Sequence, residues 1–114
     1  MILGIVGSRK AKDYEAFKRY VTNYLSEYGM PVKIVSGGAS GIDSFAERFA
    51  LENNIPILIF EANWDLYKKA AGPKRNTQIA NVITHLLAFP DANSIGTWDT
   101  INKCKGKIVK IIQI

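Results

Sequence analysis

With 114 residues, 47% of them hydrophobic and 22% charged, the chain has the composition of one folded domain that buries a core, which excludes a disordered or fibrous segment. Fifteen Lys and Arg against ten Asp and Glu leave a net charge of +5, favouring phosphorylated or polyanionic partners without separating nucleotide from nucleic acid. The single Cys104 excludes an internal disulfide and suits a reducing cytosol. No apolar run approaches membrane-spanning length, and the apolar start at 1–6 is too short for a signal peptide.

Residues 2–6 form a near-continuous apolar run, the pattern of a strand covered on both faces of a parallel sheet, and the run ends at Gly7-Ser8-Arg9. Tyr14, Phe17, Val21, Tyr24, Leu25 and Tyr28 recur at three- and four-residue spacing and predict an amphipathic helix, capped by Asp13 and closed by Gly29 before Pro31. Residues 32–35 read as a second strand that leads into a turn, Ser36-Gly37-Gly38-Ala39-Ser40-Gly41. The helix after it carries Ile42, Phe45, Ala46, Phe49 and Ala50 on one stripe. Pro56 opens a third strand at 57–60, whereas 61–72 shows no period and is long for a connection. Pro73 suits the first turn of a third helix with Ile79, Val82 and Ile83 inward. A fourth strand at 86–89, a short helix at 97–104 and a Lys-bearing edge strand at 108–112 complete the chain.

Strands alternating with helices predict an α/β fold in three layers around a mostly parallel five-stranded sheet, in one domain spanning 1–114. Ligands of such sheets bind beyond the carboxyl ends of the strands, near the switch in strand order. The segments 7–9, 36–41, 61–76 and 91–97 all follow strands and are expected on that one rim.

The turn at 36–41 is the main candidate. A strand, glycines and a helix start combine outward N–H groups, a favourable dipole and room for close approach, as phosphate binding requires. Ser36, Gly37, Gly38 and Gly41 are its candidate residues, with Gly7, Ser8 and the forked guanidinium of Arg9 beside them. Asp43 stands three residues after Ser40, the spacing of a capping box, with contact to a ribose hydroxyl as its other role. Lys74 and Arg75 fall in the predicted first turn of the third helix, where the dipole disfavours cations, which suggests that they collect an anion. Arg75 and Asn76 are the candidates there, and Arg75→Ala is expected to weaken binding while hardly moving the melting temperature. Trp64 and Tyr67 either stack on a base or staple the loop to the core. Ser94, Gly96 and Thr97 precede or open the fourth predicted helix and would hold a second phosphate. Asp99 is either a dipole-stabilised carboxylate or, in an enzyme, the acid/base; it is the one catalytic candidate. His85 lies at the end of its strand away from the rim and reads as structural. That leaves no histidine for a nucleophile-activating triad and no metal-ligand cluster, and no cofactor is expected. Cys104 reads as a packed thiol.

Taken together, Gly7-Ser8-Arg9, Ser36-Gly37-Gly38-Ala39-Ser40-Gly41-Ile42-Asp43, Ala62-Asn63-Trp64, Ala71-Gly72-Pro73-Lys74-Arg75-Asn76 and Ser94-Ile95-Gly96-Thr97 resemble the SLOG superfamily, which joins the Smf/DNA-processing proteins and the Lonely-Guy enzymes. The nearest branch is similar to the small YspA-like, YpsA-related proteins. The resemblance implies a Rossmann-like fold that binds nucleotides or their derivatives at the rim, often in an oligomer. Three functions follow from it. The preferred one is sensing or sequestering a nucleotide-derived small molecule, such as a cyclic nucleotide or an ADP-ribose-type signal, in the cytoplasm and away from membranes, as a homo-oligomer. The first alternative is a Lonely-Guy-like phosphoribohydrolase acting on nucleoside monophosphates. That family's Pro-Gly-Gly-x-Gly-Thr-x-x-Glu motif is met only in part, since the paired glycines are missing and Asp99 stands near the glutamate's place; enzymatic activity is left open. The second alternative is binding of single-stranded DNA, as in the DNA-processing proteins, with which the Gly-x-Arg, Ser-Gly-x-Ala-x-Gly-Ile-Asp and Arg-Asn elements are shared. Ordinary dinucleotide binding ranks last, because the turn counted from Ser36 lacks the first glycine of Gly-x-Gly-x-x-Gly.

Overall fold

A computed structural model describes residues 1–113. The strands are β1 (Ile2–Gly7), β2 (Lys33–Ser36), β3 (Ile57–Ile59), β4 (His85–Phe89) and β5 (Ile108–Ile111), and they form one sheet in the order β3-β2-β1-β4-β5. Every pairing is parallel; Gly4 of β1 lies between Val35 of β2 and Leu86 of β4. The helices are α1 (Tyr14–Tyr28), α2 (Ile42–Glu52), α3 (Trp64–Tyr67), α4 (Ala71–Val82) and α5 (Ile95–Lys103), with a 3-10 turn at Lys68–Ala70 joining α3 to α4. The alternation of strand and helix therefore builds the three-layer, Rossmann-like α/β fold expected from the sequence.

Alternation along each strand divides the core. Leu3, Ile5, Ile34, Leu87 and Phe89 pack beneath α1 and α2, against Phe17, Val21, Ile42 and Phe49. Val6, Val35, Leu86 and Ala88 point the other way, toward Ile79, Ala80, Ile83 and Cys104. Gly4 belongs to this second face, where a Cβ would lie 2.8 Å from Cδ1 of Ile83; the isoleucine fills the space the glycine leaves. Cys104 is fully buried, as a packed thiol should be. β3 and β5 are the sheet edges, and both expose isoleucines.

Local signals explain most boundaries. Asp13 Oδ1 accepts the Ala16 N–H at 3.0 Å and caps α1. Gly29, at φ +89°, ends it by donating to Leu25 O. Four expectations shift. The aperiodic stretch 61–72 is not a loop: Asn63 Oδ1 accepts the Leu66 N–H and starts α3, none of whose residues is buried, so it carries no apolar period. α4 begins at Ala71, ahead of Pro73, which is tolerated in a first turn whose N–H groups lack partners anyway. Lys74 and Arg75 therefore lie beyond that turn, and the unfavourable dipole term invoked for them disappears. Val82 is exposed and Ala80 takes the inward place. α5 starts at Ile95, so Thr97 is in its first turn and Asp99 is past it. Among the described residues no helix is long and apolar enough to cross a membrane.

Because all five strands are parallel, their carboxyl ends share one edge. The loops after β1, β2, β3 and β4 meet there, across the β1/β4 point at which the strand order reverses.

Candidate functional site

That edge carries two adjoining hollows. The larger, a cleft of about 570 Å³, is walled by Gly7, Arg9 and Lys10 after β1, by Ala39 and Asp43 after β2, by Trp64, Lys69, Gly72, Arg75 and Asn76 of the α3–α4 segment, and by Asp91, Asn93, Ser94, Gly96, Thr97 and Asp99 after β4. The smaller, about 260 Å³, lies over Gly37, Gly38, Ser40 and Glu61 and shares Arg9, Ala39, Trp64 and Arg75 with the first. Of the candidates read from sequence, Gly7, Arg9, Gly37, Gly38, Asp43, Trp64, Arg75, Asn76, Ser94, Gly96, Thr97 and Asp99 line one or both hollows. Ser8, Ser36 and Gly41 line neither.

Those three build the loops instead. Ser8 is buried and its Oγ donates to Asp91 Oδ2 while accepting the Lys10 N–H at 3.1 Å, which ties the β1 loop to the β4 loop. Ser36 Oγ donates to Asp43 O and accepts the Gly38 N–H, each at 3.3 Å. Gly41, at φ +70°, passes so close to the β1 loop that a Cβ would lie 2.2 Å from Ser8 O, and the next amide, Ile42 N–H, donates to that same oxygen at 3.0 Å. The expectation of a turn with free, outward amides is thus corrected: the Gly38, Ala39 and Ile42 N–H groups are all satisfied inside the chain. The capping box is corrected too. Asp43 Oδ2 accepts from Ala39 N at 3.2 Å, while the Ser40 hydroxyl donates to Arg9 O at 3.2 Å.

Arg75 crosses from α4 to this turn. It is only 8% exposed; Nη1 donates to Gly37 O and Nε donates to Asn76 Oδ1 at 2.9 Å. A Cβ at Gly37 would fall 2.5 Å from that Nη1 and 2.8 Å from Asp43 Oδ2, so any side chain there would push the guanidinium and the carboxylate from their places. Asn76 extends the network to α5: its Nδ2 donates to Gly96 O at 3.2 Å and Asp99 Oδ2 at 3.1 Å, and Lys103 Nζ donates to the same carboxylate at 2.7 Å. Burial lowers the Arg75 pKa from its ordinary value, with Asp43 pushing the other way. Burial raises Asp43 to about 6, opposed by the Ala39 N–H and by the charges of Arg75 and Arg9. Burial also works to raise Asp99, but the Lys103 and Asn76 hydrogen bonds outweigh it and hold the carboxyl below its ordinary range. An acid so held is ionised near neutrality and is a poor proton donor. Asp91 is lowered chiefly by the Ser8 hydroxyl and then by the Asn93 N–H.

The aromatic side of the cleft is cationic. Trp64 is 49% exposed and lies over Gly72, where a Cβ would come within 3.2 Å of the indole; the Arg9 guanidinium sits 5.9 Å from its ring centre. Lys74 Nζ stands 4.8 Å from the Tyr67 ring, and Leu66 and Tyr67 face solvent. Trp64 is therefore packed on α4, as the stapling role requires, while the rest of its ring is open to the cleft. At the opposite wall Thr97 is buried, and Ser94 Oγ accepts the Asp91 N–H at 2.9 Å without capping α5. Lys10, Asp91 and Asn93 were not singled out from sequence, although Lys10 directly follows Gly7-Ser8-Arg9 and Asp91 shows an Asx turn by accepting the Asn93 N–H at 2.7 Å. Among the described residues no three His, Cys, Asp or Glu side chains gather as metal ligands would. What the geometry offers is a groove where cations and an aromatic ring adjoin a glycine turn.

Comparison with known proteins gives this groove its context. The DNA processing protein A of Streptococcus pneumoniae superposes with a TM-score of 0.76 over 98% of this chain, at 22% identity. That of Helicobacter pylori, whose structure was solved for its single-stranded DNA binding mode, gives 0.70 over 97% at 20% identity. At these identities the likeness concerns the fold, and the chain spans 50% and 64% of the two solved chains. The gene 61 protein of Mycobacterium phage D29 is 35% identical over 117 residues, covering 96% of this chain and 92% of that protein. The match to a DNA-processing family overturns the preference for a nucleotide-derived small molecule over nucleic acid as function and as partner; electrostatics did not distinguish the two, because both present phosphates to the same cations. The model of the DNA recombination-mediator protein A family matches residues 1–91, and the chain belongs to that family, within the SLOG superfamily that its motifs resemble.

Proposed function

We propose that the chain binds single-stranded DNA along the cleft at the carboxyl edge of the sheet. The observation that carries this reading is the placement of Arg9, Lys10 and Lys69 around a cleft that also exposes Trp64, in a member of a DNA-processing family. The cations meet phosphates, and the indole offers a face to an unpaired base, which a duplex keeps in its own stack. Arg75, Asn76 and Asp43 hold the glycine turn in place beneath the strand, while Gly96 and Thr97 form the far wall. The solved Helicobacter relative, a single-stranded DNA binder of the same fold, supports the assignment. Residues 1–114 act in this reading as one binding domain in the cytoplasm, of the YspA-like branch, and several copies assemble along a strand.

Fluorescence anisotropy with a labelled thymine oligonucleotide tests it. Binding is expected at low salt, with log K falling linearly in log salt at about −0.7 per phosphate contacted, and a duplex of equal length should compete poorly. Arg9→Ala should reduce that slope by about one contact. Trp64→Ala should weaken binding by about 1–3 kcal/mol, roughly five-fold or more, at any salt. No binding to a long single strand at low salt removes the proposal.

A further inference from the structure

The glycine turn already holds an anion of its own. Asp43 is 5% exposed in the first turn of α2, and its Oδ2 occupies the Ala39 N–H at 3.2 Å. Ala39 lines both hollows, so a phosphate entering from either comes up against the residue whose N–H Asp43 holds. Arg75 approaches the same turn and donates to Gly37 O, and the missing side chain of Gly37 lets carboxylate and guanidinium crowd one Cα. The charges acting on Asp43 are Arg75 from α4, Arg9 from the β1 loop and Glu47 along α2 itself.

We propose that Asp43 controls anion access to the glycine turn: a DNA phosphate reaches the Ala39 amide only when the carboxylate takes up a proton from solvent and gives that amide up. The proton goes onto the carboxylate oxygen, which changes from acceptor to donor and faces the incoming phosphate as a neutral group. Two anions at one amide repel at short range beside a carboxylate only 5% exposed, so each phosphate bound at the turn brings one proton with it. Burial holds this carboxyl at about 6, so the exchange falls just below neutrality. His85 stands at the first residue of β4, at the opposite end of that strand from the cleft. The identity of the anion as DNA rests on the reading above; the gate is a property of the free protein.

Two measurements separate these. In the first, amide shifts of the labelled protein are followed during titration with sulfate, which keeps its charge across the range, at about pH 5 and about pH 7.5. The Ala39 amide should respond to sulfate at the lower pH only in the natural protein, and at both pH values in Asp43→Asn. Equal response at both pH values in the natural protein, or none at either, overturns the gate. In the second, thymine oligonucleotide affinity is measured over the same range at constant salt. It should fall by up to about tenfold per pH unit above pH 6 in the natural protein and stay level in Asp43→Asn. A flat profile in the natural protein overturns the inference while leaving the DNA reading intact; absent DNA binding with the sulfate result preserved removes the DNA and leaves the gate. Asp43→Ala serves as a second variant, and a circular-dichroism melt of each confirms that folded protein is compared.

Discussion

Arg75 shows how far one residue's role depends on what surrounds it. From sequence it reads as a surface cation whose loss affects a ligand alone. In the fold it is 8% exposed and donates to Gly37 O and Asn76 Oδ1, beside the buried Asp43. Arg75→Ala leaves that carbonyl and the Asn76 amide oxygen without their donor and removes a positive charge acting on Asp43, and the expected cost is about 2 kcal/mol or more of stability. Arg75→Lys should recover little of it, since a single ammonium cannot reproduce the fork. Urea denaturation measures this; an unchanged midpoint in Arg75→Ala would restore the simpler surface role. The nature of Arg9, Arg75 and Trp64 as rim residues was legible in the sequence because each follows a strand in a parallel sheet. Their partners were not, because the Arg75–Gly37 contact joins residues 38 apart in sequence, across a turn whose close approach to α4 no local pattern signals.

At the scale of elements, periodicity identified what is buried and missed what is not. α1 was readable from its stripe of Tyr14, Phe17, Val21, Tyr24 and Leu25, all of which are buried, while Tyr28 at the end of that stripe is exposed. α3 was not, because no residue of it or of the following 3-10 turn is buried and its one clear signal is the Asn63 cap. A segment held by a cap and by the indole of Trp64 on Gly72, with few apolar contacts, opens at low free energy. Hydrogen exchange should therefore find amides 64–70 exchanging orders of magnitude faster than those of β1 and β4, each of which pairs with a strand on both sides. Bound single-stranded DNA should slow the 64–70 group selectively, because Trp64 and Lys69 are part of the proposed track. Protection of that segment equal to β1 in the free protein would mean that α3 is core structure and a poor candidate for an adaptable wall.

For the whole molecule, the buried carboxylate behind the turn sets stability against pH in a direction opposite to the surface acids. Asp43 is raised from 3.8 to about 6, so between those values the folded state holds a proton that the unfolded state has released. The unfolded chain then binds fewer protons, and stability falls as pH rises through this window, by about 3 kcal/mol for a shift near two units. Asp91 and Asp99 are lowered, Asp91 by the Ser8 hydroxyl and Asp99 by the Lys103 and Asn76 hydrogen bonds that outweigh its burial. Glu52 is lowered by the Tyr14 hydroxyl. These three favour the folded state above their ordinary pKa values and lose that contribution as pH falls below about 4. The two trends meet on the acid side of neutrality, where repulsion within a chain of net charge +5 grows as further carboxylates are neutralised. The urea midpoint of the natural protein is therefore expected to peak near pH 4–5 and decline toward pH 7. Asp43→Asn should remove the decline while keeping the acid limb, because Asp91, Asp99 and Glu52 are untouched and the difference between the two proteins isolates one titration. Should the natural protein and Asp43→Asn run parallel from pH 4 to 7, the carboxylate is not held protonated by its burial, and its contact with Ala39 is a fixed structural bond and not one a phosphate can replace.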